Sequence, residues 1–407
     1  MAQDKDQKTL NVPPLRFPGF TDEWKRIKVS DLLDFYSTNS LSWEMLNYED
    51  GDLHNLHYGL IHSGLPTLID LKRDTLPFVN DTAKPKNYTL CKEGDIAFAD
   101  ASEDTNDVAK AIEFINLEGQ QVISGLHTIH GRDNGNKTVV GFKGYAFASS
   151  SFHNQIRRIA QGTKIYSISS KSFDEVFISI PNKTEQTKIV RLLHLIDERI
   201  TTQNKIIEDL KKLKSAIIDR LYSEVKGETC TYSELFTVVT ERNSKRTYNK
   251  VIAASQEYGM VERESLNLKV QFDEELINTY KIINSGDYVI HLRSFQGGFA
   301  FSKLQGICSP AYIILRPNDR VEFSYFENYF TSSKFINSLR LVTYGIRDGR
   351  SINVEEWLSM KVTLPSKEEQ KRIIRTIQSI QDKVSNEIRI LTSLHSQRLF
   401  LLRELFI

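Results

Sequence analysis

The chain has 407 residues, 40% of them hydrophobic and 26% charged, with a formal net charge of +1. That is too long for one ordinary core and fits two or three globular domains, and the composition excludes a disordered chain. Three scattered cysteines exclude a disulfide framework or a Cys-based zinc site, and no apolar run is long enough to span a bilayer. A uniformly basic chain is excluded too, although local basic patches remain open.

In chain order, residues 1–14 are expected to form a flexible arm, polar and mixed in charge, unlike a signal peptide. The expected location is the cytoplasm. An aromatic, turn-rich stretch, Arg16-Phe17-Pro18-Gly19-Phe20, precedes Val29-Ser30-Asp31-Leu32, and Tyr232-Ser233-Glu234-Leu235 matches the latter further on. Both read as a short helix with a Ser N-cap opening a domain. Strand-and-turn patterns follow. Lys92-Glu93-Gly94-Asp95 resembles Asn284-Ser285-Gly286-Asp287, each a Gly-Asp turn feeding a β-rich run. Later strands are expected at His127–His130 and Ala311–Leu315, then helical aromatic segments at Tyr145–Arg158 and Ser324–Leu339. Gly-containing loops and a last strand, Val176–Ile180 or Met360–Leu364, complete each domain.

Each last strand feeds a long helical pattern, and these two patterns superimpose without a gap: Pro181 on Pro365, Glu185 on Glu369, Gln186 on Gln370, Leu221 on Leu405. Asn182-x-x-Glu185 and Ser366-x-x-Glu369 read as capping boxes, the prolines end the strands, and Gly227 is a plausible stop for the first helix. Ile189, Leu193, Ile196, Ile200, Gln203, Ile207, Leu210, Ile217 and Leu221 recur at steps of four and three around Lys214. Ile373, Ile377, Ile380, Val384, Glu387, Leu391, Leu394, Leu401 and Leu405 do so in the same register around Arg398. This is a coiled-coil seam broken by polar residues at the same places, which either snorkel to solvent or fix register. The chain reads as one duplicated α+β unit: domain 15–181, helix 182–227, domain 228–365, helix 366–407. A helix of roughly 37 residues spans about 55 Å. An antiparallel pair would relate two mixed α/β domains by a pseudo-twofold and suit two separated half-sites on a duplex.

No P-loop, dinucleotide fingerprint or Asn-Pro-Pro-Tyr type stretch occurs, so no catalytic residue is assigned. Asp219…Glu224-x-Lys226 has carboxylate-nuclease composition but no strand to present it. His54, His57 and His62 lack a further ligand, and His127 and His130 point to opposite strand faces, so no metal site is assigned. The candidate DNA contacts are Arg157, Arg158, Lys164 and Tyr166 in the first domain and Arg293, Ser294, Gln296, Arg340, Arg347 and Arg350 in the second. Arg and Lys neutralise phosphates, and Arg also reads guanine. For any one of them a solvated surface role is at least as good an account.

The order of parts, with Arg16-Phe17-Pro18-Gly19-Phe20 and the paired Pro-x-x-x-Glu-Gln helix starts, resembles the specificity (S) subunits of bacterial type I restriction–modification enzymes across essentially the whole chain. The resemblance implies two target recognition domains, each reading half of a bipartite DNA sequence. It implies an antiparallel coiled coil that sets their spacing and docks two methyltransferase subunits, restriction subunits completing the nuclease. It also implies that this chain is non-catalytic and binds no cofactor, with S-adenosylmethionine, and ATP and Mg for restriction, on the partners. The N-terminal segment and the C-terminus would lie close together. Two readings compete with this one: a coiled-coil scaffold that never touches DNA, and an enzyme with an unrecognised site.

Overall fold

The computed structural model describes residues 10–255, 258–266, 274–291, 298–344 and 351–407. The chain divides into two compact units, Met1–Gln203 with Ile390–Ile407, and Asn204–Arg389. Each unit contains part of both long helices, Lys183–Ser223 and Lys367–Glu404.

In the first unit Lys25–Lys28 pairs antiparallel with Phe177–Ile180, bringing the start of the domain to its last strand. A five-stranded sheet runs in the order Asp34–Tyr36, Thr128–Arg132, Ile96–Ala99, Ala111–Asn116, Leu68–Asp70, and its last pair is parallel. A smaller sheet carries Gln121–Ser124, Leu53–Leu56, Phe78–Val79 and Leu46–Asn47. The Tyr145–Arg158 segment is two helices, Phe142–Phe147 and Ser150–Ile159. Ser149 breaks it: its hydroxyl donates to the Ala146 carbonyl (2.7 Å) and accepts the Phe152 N–H (3.3 Å). The core gathers Phe98, Phe147, Phe152 and Phe173 with Ile189 and Leu193 of the first long helix and Leu402, Leu405 and Phe406 from the end of the second.

The second unit repeats this plan. Glu228–Thr231 pairs with Lys361–Leu364, and an antiparallel sheet orders Phe236–Val239, Ile313–Pro317, Tyr288–Ile290, Phe299–Phe301. Ser332 repeats the Ser149 break, donating to Tyr329 O at 2.7 Å and accepting Phe335 N–H at 3.3 Å. Trp357 stacks on Tyr232 at 4.3 Å in a core completed by Ile218, Tyr222, Ile373 and Ile377 of the long helices. Asp219, which no strand presents, accepts the Ser333 N–H (2.7 Å) and hydroxyl (2.8 Å).

Several local expectations are corrected. The short opening helices are not capped by Ser30 or Ser233: Val29–Leu32 follows Lys28 without a side-chain cap, and Tyr232–Glu234 is capped by Thr231 with Glu234. Thr231 stands one residue outside the turn, where an unpaired N–H can be reached. The first long helix ends at Ser223, not Gly227. Gly227 instead lets two strands approach, since a Cβ there would lie 2.1 Å from the Leu364 carbonyl oxygen. Residues 1–9 of the expected arm lie outside the described residues, and the chain is already held at Asn11, whose carbonyl accepts the Trp24 N–H at 2.8 Å. Leu15 N–H donates to Glu404 O at 3.0 Å and Trp24 meets Phe406 edge-on, so this segment does lie beside the C-terminus.

The capping boxes are half formed. Asn182 accepts the Glu185 N–H (3.0 Å) and Ser366 the Glu369 N–H (3.3 Å). The carboxylates do not reach back, because each has an arginine. Glu185 holds Arg16 bidentately at 2.7 and 2.9 Å, and Glu369 holds Arg372 at 2.7 and 2.5 Å. A charged donor outcompetes a neutral N–H. Arg16 thereby fixes the Arg16–Phe20 segment to the helix foot, where Lys188 lies 4.9 Å over Phe20.

The glutamines of the motif are its centre. Gln186 is buried; its amide nitrogen donates to Pro181 O (2.9 Å) and Lys137 O (3.1 Å), and its oxygen accepts Val139 N–H (2.8 Å). Gln370 makes the same three bonds, to Pro365 O (3.0 Å), Arg320 O (3.0 Å) and Glu322 N–H (2.8 Å). Each glutamine ties a strand end, a loop and a helix start together. Replacing either by methionine keeps the volume and leaves buried backbone groups unpaired, so we expect Gln186→Met or Gln370→Met to cost about 3 kcal/mol, read as a lower midpoint in chemical denaturation.

Candidate nucleic-acid interface

Each domain presents its loops from a sheet that carries an Asp–Arg ion pair with a buried carboxylate. Asp95 accepts Arg132 through both oxygens at 2.7 Å and the Lys92 N–H at 2.8 Å. Asp287 accepts Arg316 at 2.9 and 2.8 Å and the Asn284 N–H at 2.8 Å. The glycine before each aspartate has a positive φ, +84° at Gly94 and +97° at Gly286, which the tight turn requires. Burial alone would raise the Asp95 pKa. Arg132, His130 and the Lys92 N–H outweigh it and hold the carboxyl below its ordinary value.

The first unit adds Cys91 and His130 around Asp95, the His130 Nε2 lying 2.7 Å from Asp95 Oδ2. The sequence reading did not bring these three together. Arg132 already supplies the positive charge a metal would bring, and burial, with the Asp95 charge, pushes the Cys91 thiol up, so the group is an ion-pair core. The cluster His54, His57 and His62 does not converge on one point. His54 bonds Leu76 O (2.9 Å), His57 accepts Gly59 N–H (3.1 Å), and His62 bonds Ala101 O (3.0 Å).

The long helices meet at equivalent positions in both units. Arg398 bonds Asp197 at 2.5 Å in the first, and Lys214 bonds Gln381 in the second. Position 214 matches 398 and 197 matches 381, so the polar interruptions reach the same site on the opposing helix, which runs antiparallel. Arg398 also donates to Thr67 (2.8 Å), and the Tyr145 hydroxyl donates to Asp197 (3.0 Å). Along the seam Ile189, Leu193, Ile200, Gln203, Ile207, Ile373, Ile377, Val384, Glu387, Leu394 and Leu405 are buried. Ile196, Leu210, Ile217, Leu221, Ile380, Leu391 and Leu401 are half-buried.

The candidate DNA contacts divide. Arg157 and Arg158 are exposed on the last turn of Ser150–Ile159 but face different surroundings. Arg157 donates to Asn106 (2.6 Å) and to Asn154; Arg158 lines a separate groove with Arg26. Lys164 and Tyr166 belong to a hairpin closed by Gln161 and Ser167, and Tyr166 pairs with Ser102. Gly162 (φ +139°) is required there, since a Cβ would meet the Ile165 carbonyl oxygen at 1.8 Å. The hairpin tip offers Lys164 beside Ile165, an apolar residue 60% exposed. In the second unit Arg340 is exposed on the turn Leu339–Leu341; Arg293, Ser294, Gln296, Arg347 and Arg350 lie outside the described residues.

Between the hairpin and the loop carrying Asn106 lies a cavity of about 460 Å³, lined by Tyr58, His62, Ser102, Glu103, Asp104, Asp107, His127 and Ile165. Sequence reasoning missed it. His62 and His127 are far apart in sequence, and only the fold brings the acidic loop beside them. Carboxylates beside such a cavity can accept hydrogen bonds from the exocyclic amino groups of cytosine or adenine. Among the described residues no helix is long and apolar enough to cross a membrane.

The glutamine junction, the Asp–Arg pair and the cross-helix contact each occur once per unit, which defines a protein built from one duplicated unit. The family model for the type I restriction modification DNA specificity domain matches residues 21–212 and again 224–395, and the chain belongs to this family. A curated relative, the type I restriction enzyme MjaVIII specificity subunit of Methanocaldococcus jannaschii, is 25% identical over 254 residues, 55% of this chain. The match spans 60% of that relative's length. In fold the chain is similar to the S subunit of a type I restriction–modification system from M. genitalium, with a TM-score of 0.50, 15% identity, and coverage of 97% of this chain and 99% of that one. It is also similar to a chain from a structure on complex assembly and conformational transition of the type I R–M system, with a TM-score of 0.59, 14% identity, and coverage of 93% and 96%.

Beside Arg157, His153 is half-buried and its Nδ1 has no hydrogen-bond partner. Burial, then the nearby Arg157 charge, lowers its pKa from 6.5 to about 4. The unfolded chain takes up this proton first, so the contribution to stability is complete above pH 6.5 and is lost as the pH falls toward 4. We expect about 2 kcal/mol of acid destabilisation over that window, flattened in His153→Gln, in denaturation midpoints measured against pH.

Proposed function

We propose that the chain is the DNA-reading, non-catalytic specificity subunit of a type I restriction–modification complex. Each unit reads one half of a bipartite, asymmetric target. The paired helices set the distance between halves and dock two methyltransferase subunits, directing adenine methylation and, with restriction subunits, cleavage. S-adenosylmethionine, ATP and Mg act on those partners. The observation that carries this reading is the repetition, within one chain, of the glutamine junction, the Asp–Arg pair and the cross-helix contact, while the loops they support differ. Repeated supports with divergent loops suit two readers of different half-sites. Arg157, Lys164 and Tyr166 in the first unit, and Arg340 in the second, are the contacts we assign to DNA.

Methylated adenines mapped in cells carrying this chain with its modification subunit test the assignment. Exchanging residues 15–181 for another such domain should change one half of the methylated motif and leave the other intact. A heptad inserted into both helices adds about 10 Å, so the preferred spacer should lengthen by about three base pairs. An unchanged spacer would sink the ruler. Binding should weaken steeply with salt; salt-independent association with a protein and no affinity for a duplex would favour the scaffold reading.

A further inference from the structure

The separation of Arg158 from Arg157 exposes a second feature of the first unit. Ser151, Asn154, Gln155 and Arg158 fall on one face of the helix Ser150–Ile159 and form one wall of a groove of about 570 Å³. The facing wall is the strand pair, with Arg26 lying 4.2 Å over the Phe177 ring and Glu175 at the rim. Among the described residues neither Arg26 nor Arg158 has a carboxylate within ion-pair distance, although Glu175 lines the same groove. Gln155 bonds across to the Phe177 backbone at 2.8 and 2.9 Å and ties the two walls, which leaves the two unneutralised guanidinium groups, with Ser151 and Asn154, as the seat for anionic oxygen.

Its length and neighbours narrow the ligand. From Ser151 to Arg158 the wall runs about 10 Å, room for two or three successive phosphates at about 3.4 Å of axis per strand. Asn154 lines the groove and also holds Arg157, which holds Asn106 in the loop bordering the cavity beneath the Lys164 hairpin. The groove thus joins the candidate base-reading surface through a continuous run of contacts. We propose that it seats the sugar–phosphate backbone of the DNA strand adjoining the first half-site; this rests on the DNA-reading function above. Arg26 and Arg158 then contribute affinity without sequence preference. The second unit lacks the seat, because strand register places Thr229 at the position of Arg26 and the matching helix turn places Leu341 at that of Arg158.

The test uses the full chain assembled with its modification subunit. Two duplexes serve as probes, one carrying the target found by methylation mapping and one scrambled, with affinity measured across salt concentrations. We expect Arg158→Ala and Arg26→Ala each to lower the slope of log affinity against log salt by about one on both duplexes. The ratio of specific to non-specific affinity should be preserved. Arg26→Lys and Arg158→Lys should retain the slope, which guards against loss of packing on Phe177. An unchanged slope overturns the proposal. So does an unchanged slope with weakened binding of the modification subunit, which would assign the groove to an acidic protein segment. A lost specificity ratio with the slope retained overturns it as well. A wild-type complex that does not distinguish the two duplexes refutes the DNA-reading function itself, a different result from these.

Discussion

The structure depends on a buried amide at the foot of each long helix. Gln186 and Gln370 use both ends of the carboxamide, and every partner is a backbone group, one at the strand end and two in the loop beside it. An apolar side chain could fill the space but could not satisfy three groups at once. The junction therefore sets the direction in which each helix leaves its domain. Pro181 and Pro365 help by keeping the strand extended to its last residue while offering only a carbonyl, the group the glutamine needs.

Above the junction the two copies diverge in a physically ordered way. The Asp–Arg pair persists in both because removing either partner would leave a charge buried or half-buried without compensation. Around it the first unit has Cys91 and His130 where the second has Ile283 and Ile314. The first unit also buries a Lys143–Glu113 pair at 2.9 Å. Such substitutions change the chemistry of a core wall without moving the turn at Gly94 or Gly286. The loops beyond carry still less constraint, which leaves them able to differ between copies.

Much of the fold was legible because the largest signals were repeated. The gapless superposition of two Pro-x-x-x-Glu-Gln helices and the matching Gly-Asp turns foretold a duplicated unit. What failed was local competition between partners. The spacing Asn182-x-x-Glu185 is right for a capping box, yet nothing in that window shows that Arg16, distant in sequence, takes the carboxylate. Ser149 looked like one more helical residue, because its bond to the preceding turn depends on the chain reversing there. The site was harder still. Arg157 and Arg158 are adjacent in sequence and look interchangeable, but one helical step separates a residue bonded to Asn106 from one facing Arg26.

The polar interruptions of the seam, which the sequence left undecided between snorkelling and register, are settled by geometry for one pair. An apolar seam of similar aliphatic residues tolerates sliding by a heptad, since one isoleucine or leucine replaces another. The Arg398–Asp197 and Lys214–Gln381 contacts do not. A slip of seven residues would set Lys214 against Ile374 or Ile388 and Arg398 against Val190 or Asn204, so three of the four alternatives leave a half-buried cation beside an aliphatic side chain and the fourth replaces the carboxylate by a neutral amide. Arg398 also holds Thr67 in the same compact unit, so the residue that resists slipping ties the globular fold to the helices as well. Directional contacts of this kind set the register of the helix pair, because hydrophobic burial alone is non-directional.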